Sequence, residues 1–231
     1  MIIGINGKIG SGKDTVGNII QYLTDKNVKE MSFEDWHASN VYSVYQGCGK
    51  WEIKKYAGKL KQTASLLTGI PVEMFEDQDF KKTNLPECWN TLQQSGRNKV
   101  SSPMTVREFL QKLGTEAMRN GLHTNVWVNA LFADYNPVAK LKGADILPNW
   151  CITDMRFPNE MEAVVAKGGI TIKVVRPIKE TAYEKAYRET HLHPSETSLD
   201  SAKFDYEIVN DGSIEDLVEK VREILIKENI I

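Results

Sequence analysis

No stretch of this chain approaches the roughly 20 consecutive apolar residues that a membrane-spanning helix needs. The N-terminal "MIIGING" also lacks the basic segment and long apolar run of an export signal. Insertion into a membrane and secretion are therefore not expected. Cysteine is scarce: Cys48, Cys88 and Cys151 are the three present, far apart and without a C-x-x-C pair. That spacing argues against a disulfide framework and against a structural zinc site, and it fits a reducing cytoplasm. An excess of one charge is missing as well. With 29 Lys and Arg against 31 Asp and Glu, a formal net charge of -2, bulk electrostatics gives no reason to expect nucleic acid or an anionic bilayer as a partner. Internal repeats and low-complexity tracts are absent too.

What remains is ordinary globular material. The 231 residues are 41% hydrophobic and 26% charged, enough for one α/β domain carrying an insertion at about residues 27–104. "IIGIN" is a short β-branched run ending at Gly7, a buried strand by its composition. From Thr15 onward, Val16, Ile19, Ile20 and Leu23 fall on one helical stripe. Further strands are expected at "NWCITD", "ITIKVV" and "YEIVND". Helices are expected at "VREFLQKLGTEAMR", behind a Thr105/Glu108 capping box, at "NVWVNALFADY", at "NEMEAVVAKGG", and after a Ser213 cap. "VYSVYQGCGKWEIKKYA" reads as a hairpin around Gly47 and Gly49, and "GKLKQTASLLTG" as a short helix bearing Lys59 and Lys61. The polar run from Phe75 to Pro103 reads as a mobile insertion more than as a second core. Strands alternating with helices predict a mainly parallel sheet covered on both faces.

Between the first strand and helix lies "GKIGSGKDT". Gly7, Gly12 and Lys13 match G-x-x-x-x-G-K, a loop whose backbone N–H groups, with the following helix terminus, make a nest for phosphate, while the lysine reaches the outer phosphates. The flanking strand and helix give the motif its weight, and a nucleoside triphosphate is the expected ligand. The usual next residue is Ser or Thr, whose hydroxyl ligates magnesium; here it is Asp14, and a hydroxyl follows at Thr15. A carboxylate is a hard oxygen ligand suited to magnesium and favoured in a first helical turn. Asp14 thus stands at the metal position, with Thr15 beside an inner phosphate. A second cluster, "TDMRFPNE", follows another strand. Asp154 there can hold a magnesium water or a substrate hydroxyl, Arg156 offers a planar fork for phosphate oxygens, and Glu160 can orient that arginine or accept from a base.

These blocks, with "AGKLKQTA", "VWVNALF", "HPSE" and "FDYEIVNDGSIEDL", occur in an order that resembles the bacteriophage-type deoxynucleoside monophosphate kinases over most of the chain, least at residues 27–56 and 83–103. The resemblance implies a three-layer α/β sandwich of the P-loop nucleoside monophosphate kinase type with an inserted lid or substrate-binding region. It implies transfer of the terminal phosphoryl of ATP, with Mg2+, to a deoxynucleoside monophosphate. It also implies that Gly10, Ser11, Gly12, Lys13, Asp14 and Thr15 hold ATP and metal. Lys61, Gly114, Trp127, Asp154, Arg156 and Glu160, joined by Ser195, Lys81 and Arg107, would surround the acceptor. Small molecules are then the partners, a homodimer stays open, and the compartment is the host cytoplasm if the chain is phage-encoded. Trp127 can wall off the base or simply be core.

Other kinds of function remain in view: a P-loop kinase for another small molecule such as dephospho-coenzyme A, or a nucleotide-binding switch. The switch reading lacks a guanine-reading N-K-x-D element and leaves "TDMRFPNE" without a task. His191 and His193, with no third ligand, read as a solvated loop. The basic, aromatic run "KWEIKKYAGKLK" is explained by a pocket for one nucleotide more readily than by single-stranded nucleic acid.

Overall fold

The computed structural model describes residues 1–26, 28, 31–40, 51–95, 98–177 and 196–231. In chain order its elements are β1 (Ile2–Gly7), α1 (Lys13–Thr24), α2 (Phe33–Asn40), β2 (Trp51–Lys54), α3 (Tyr56–Thr68), β3 (Thr91–Ser95), β4 (Asn98–Ser102), α4 (Val106–Gln111), α5 (Val126–Phe132), β5 (Ala139–Leu141), β6 (Ala144–Ile146), β7 (Asn149–Ile152), α6 (Pro158–Ala166), β8 (Ile170–Val175), β9 (Tyr206–Val209) and α7 (Ile214–Lys227). They form two compact units, Met1–Lys55 with Phe132–Ile231, and Tyr56–Leu131.

The larger unit is built on a five-stranded sheet in the order β2-β7-β1-β8-β9, and every pairing in it is parallel. Alternation along β1 sorts its side chains between two helical layers. Ile3 and Ile5 join Val16, Ile19 and Ile20 of α1 and Leu217, Val221 and Leu225 of α7 in one buried cluster. Gly4 points the other way, where a Cβ would lie 3.0 Å from Met155 Sδ and 3.1 Å from Val164 Cγ2. Only a residue without a side chain lets α6 approach that closely. The result is an α/β/α sandwich with the central strand feeding the glycine loop. Strands buried on both faces need apolar residues at nearly every position, which is why "IIGIN", "NWCI" and "ITIKVV" stand out in the sequence.

The hairpin expected around Gly47 and Gly49 is corrected in part. Its second arm is β2, which runs parallel to β7 with Trp51 opposite Asn149 and Ile53 opposite Cys151; its first arm, residues 41–50, lies outside the described residues. β5 and β6 form a true hairpin, turning through Lys142 (φ 49°) and Gly143 (φ 85°), the two positive φ values of a type I′ turn.

The smaller unit has its own core of Ala64, Phe75, Leu85, Val106 and Phe109. Phe75 and Leu85 belong to the stretch read from sequence as lacking one, and that reading is overturned. Three short 3-10 turns, Val72–Phe75, Phe80–Lys82 and Glu87–Trp89, direct single aromatic rings at this core; Trp89, for instance, meets Phe109 edge to face at 4.9 Å between centroids. Isolated anchors of this kind leave neither a 3.6- nor a 2-residue period to detect. The expected capping box is present: Thr105 Oγ1 accepts from Glu108 N at 3.2 Å and Glu108 Oε2 accepts from Thr105 N at 2.8 Å. Beyond α4 the helix widens into a π-helical stretch, Lys112–Leu122. Among the described residues no helix is long and apolar enough to cross a membrane.

Candidate active site

In an open parallel sheet, ligands gather at the carboxyl ends of the strands. The glycine loop leaves β1 at that edge, and α1 starts at Lys13, directly after Gly12. Gly10 and Gly12 have φ of 78° and 97°, left-handed values that L side chains rarely adopt. Ser11 is buried, and its Oγ has no hydrogen-bond partner among the described residues. Lys13 folds back so that Nζ lies 3.4 Å from the Lys8 carbonyl oxygen. Burial lowers the Lys13 pKa below that of an ordinary lysine, and the nearby Arg156 guanidinium lowers it further; Asp14, Glu196 and Asp154 oppose the shift without cancelling it. Lys13 is thus a partly buried cation beside the glycine loop, suited to an anionic ligand.

Asp14 and Thr15 lie in the first turn of α1. Asp14 Oδ1 accepts from Thr153 Oγ1 at 2.7 Å and pairs with Lys55 Nζ at 3.0 Å. Burial on its own would raise the carboxyl, but the bonds from Thr153 and Lys55 and the charges of Lys55 and Lys13 outweigh it, and the group is held below the usual carboxylate range. An ionised carboxylate beside an anion nest fits the donor set magnesium takes up with nucleotide phosphates, since that ion is usually held by one or two carboxylates and the phosphates themselves.

The turn after β7 brings Asp154 and Arg156 to this edge, and both act on the charge state of Lys13. Asp154 is 8% exposed. Arg156 Nη1 is paired with Glu196 Oε1. Glu160 is buried, and its Oε2 accepts the backbone N–H groups of Arg156 at 2.7 Å and Phe157 at 3.1 Å. It therefore shapes the loop through the backbone and closes the start of α6, where Pro158 occupies the first turn. Ser195 lies outside the described residues.

Within the smaller unit the three expected cations converge on one segment. Lys61, 7% exposed, pairs with Glu76 at 2.6 Å. Lys81 Nζ reaches the Glu76 carbonyl at 3.3 Å, and Arg107 Nη2 donates to Gln78 at 3.3 Å. Gly114 and Trp127 are partners: the indole N–H donates to the Gly114 carbonyl at 2.8 Å with Trp127 6% exposed. A Cβ at residue 114 would fall 2.9 Å from Leu60 Cδ2. Packing is what holds this tryptophan.

Comparison with known proteins adds an independent line. Residues 51–221 match the family described as deoxynucleotide monophosphate kinase. The chain belongs to this family. Two curated members, the deoxynucleotide monophosphate kinases of Escherichia phage RB69 and Enterobacteria phage T4, are each 31% identical to it over 128 residues, 55% of this chain. The matched stretch spans about half, 48%, of the length of those relatives. The deoxynucleoside-5'-monophosphate kinase of Escherichia phage T5 is 26% identical over 91% of this chain and 89% of its own. The glycine loop precedes the stretch matched to the deoxynucleotide monophosphate kinase family, so its geometry and the family match support each other from different parts of the chain.

Five residues at these clusters escape a reading of the sequence: Thr153, Lys55, Asn210, Glu196 and Glu76. Asn210, whose side-chain amide donates to the Ser11 carbonyl oxygen, directly follows β9, as Thr153 follows β7 and Lys55 follows β2, and the rule that strand ends carry sites could have flagged all three. For Glu196 and Glu76 the signal is contact across the chain, with no local pattern.

Proposed function

We propose that this chain is an ATP-dependent deoxynucleoside monophosphate kinase. One observation carries the reading: in a member of this family, Lys13, Asp14, Asp154 and Arg156 share one electrostatic neighbourhood at the carboxyl edge of the sheet. The loop amides and Lys13 grip the phosphates of ATP. Asp14, with Thr15 beside it, would hold magnesium, which supplies neutralisation of phosphate charge when bound. Arg156 offers its planar fork to phosphoryl oxygens, and Asp154 orients the acceptor or the waters around it. In the smaller unit, Lys61, Lys81 and Arg107 are cations suited to an acceptor phosphate, while the Trp127 indole, hydrogen-bonded to the Gly114 carbonyl, belongs to that unit's packing. Glu160 acts by fixing the backbone that carries Arg156.

The acceptor phosphate is already anionic, so the chain needs no general base and no protein nucleophile. Its work is alignment and charge neutralisation. The test is to incubate the protein with magnesium ATP and each deoxynucleoside monophosphate in turn and to follow formation of diphosphate. A diphosphate product is expected with at least one of them. Tight ATP binding with no product from any would reject the kinase reading in favour of a switch, and phosphorylation of dephospho-coenzyme A alone would reassign the acceptor.

A further inference from the structure

We infer that Thr153 is a positioning residue that aims the Asp14 carboxylate at magnesium nucleotide, and that Lys55 is the cation with which the metal competes for that carboxylate. The inference rests on the proposed function only in naming magnesium ATP as the ligand.

Three observations converge on it. Thr153 Oγ1 donates to Asp14 Oδ1 at 2.7 Å, and Lys55 Nζ lies 3.0 Å from the same oxygen. Two contacts on one oxygen hold Oδ1 in place and restrain rotation of the carboxylate. The side chain of Asp14 is meanwhile 57% exposed, so a ligand can reach it. The second observation is the confinement of Thr153. It is fully buried, and its methyl group sits in a notch over α1, with Cγ2 2.7 Å from where a Cβ at residue 17 would stand. Gly17 is three residues after Asp14, on the same face of the helix. Only glycine there lets Thr153 come near enough for its hydroxyl to reach the carboxylate, and a β-branched residue so enclosed has a fixed χ1.

The third is the departure of the loop from its usual pattern. A serine or threonine after Lys13 would present its oxygen on a one-bond stem. An aspartate adds a second rotatable bond, so its oxygens need an external restraint, and Thr153 supplies one from the neighbouring strand end. Lys55, at the carboxyl end of β2, balances the charge that metal would otherwise balance.

Calorimetric titration of ATP, in magnesium and separately in EDTA, tests this on the whole chain. Thr153→Val keeps the shape and removes the donor. It should lose about tenfold of the affinity measured in magnesium, the scale of a hydrogen bond to a charged group, with the EDTA affinity unchanged. Thr153→Ser should restore it, and Gly17→Ala should reproduce the loss by displacing Thr153. Lys55→Met should lower the magnesium concentration at which ATP binding is half-enhanced. Equal losses in both buffers, or a serine variant no better than valine, would overturn the assignment of Thr153. An unchanged magnesium midpoint in Lys55→Met would overturn that of Lys55. If the valine variant fails to fold, Gly17→Ala decides for Thr153, an affinity in magnesium equal to that of the parent overturning it, and Lys55→Met decides for Lys55. A protein that binds magnesium ATP yet phosphorylates no deoxynucleotide would reject the kinase reading and leave this test standing.

Discussion

The side-chain amide of Asn210 donates to the backbone carbonyl of Ser11 at 2.9 Å, joining the end of the last strand to the glycine loop across 199 positions of chain. Asn210 is itself anchored, its backbone N–H lying 2.7 Å from the Val175 carbonyl oxygen. A carbonyl engaged in this way cannot turn toward a bound phosphate and repel it. Asn210 also sits 2.5 Å from where a Cβ on Gly12 would be, so the loop and its buttress are fitted to each other.

Asn210→Ala should therefore weaken ATP binding by about 1 kcal/mol, roughly fivefold, the net value of one such bond. Gly12→Ala should cost more, because it combines a left-handed backbone position with the collision against Asn210. Calorimetry on both variants checks this, and wild-type affinity in Asn210→Ala would remove the buttress from the account.

Arg156→Ala should lower turnover by roughly 10²–10³-fold, the usual cost of losing a donor aimed at developing charge. Arg156→Lys should rescue little, since a point charge does not replace a planar fork. Steady-state kinetics with thermal unfolding in parallel separates loss of chemistry from loss of fold. A variant with an intact fold and near-normal turnover would take Arg156 out of the mechanism.

The Lys13 pKa, lowered by burial and then by Arg156, gives a pH dependence with a definite sign. Deprotonation removes the charge that holds phosphate, so ATP affinity of the free protein should fall as pH rises, on a limb below the ordinary lysine value of 10.5. Arg156→Gln removes the repelling neighbour and should move that limb upward. For stability the sign reverses: between the lowered folded value and the ordinary one, the unfolded chain binds more protons, so the Lys13 contribution to stability grows with pH there. A limb that stays in place in Arg156→Gln would contradict the electrostatic coupling.

Phe75→Ala should destabilise the smaller unit by about 3–5 kcal/mol, since the ring is wholly buried and its removal leaves a cavity among Ala64, Leu85, Val106 and Phe109. Chemical denaturation followed by hydrogen exchange over residues 56–131 would show it. A loss below 1 kcal/mol would mean that this cluster does not act as a core.

Much of the larger unit was legible without coordinates. Parallel strands buried on both faces must be apolar along their length, and the helices against them must carry a stripe, so β1, β7 and β8 each leave an apolar run and α1 and α7 a periodic trace. The glycine loop was legible because φ values of 78° and 97° at Gly10 and Gly12 restrict those positions almost wholly to glycine. Asp154 and Arg156 followed from the rule that strand ends carry sites. The smaller unit was harder to read: its core rests on rings delivered one at a time by 3-10 turns, and Trp127 could be read either way until its N–H was seen on the Gly114 carbonyl.

Sequence alone determined which residue types stand at the loop and at the ends of the strands, because those demands are local: a backbone that only glycine tolerates, an apolar run, a cap three residues from its partner. Tertiary structure decided what each of those groups touches. Thr153 bonds Asp14 across 139 positions, Asn210 holds Ser11 from across the sheet, and Glu160 spends its carboxylate on backbone N–H groups near Arg156. Contacts between distant segments follow from how strands are ordered in the sheet, and no local pattern of residues encodes that order.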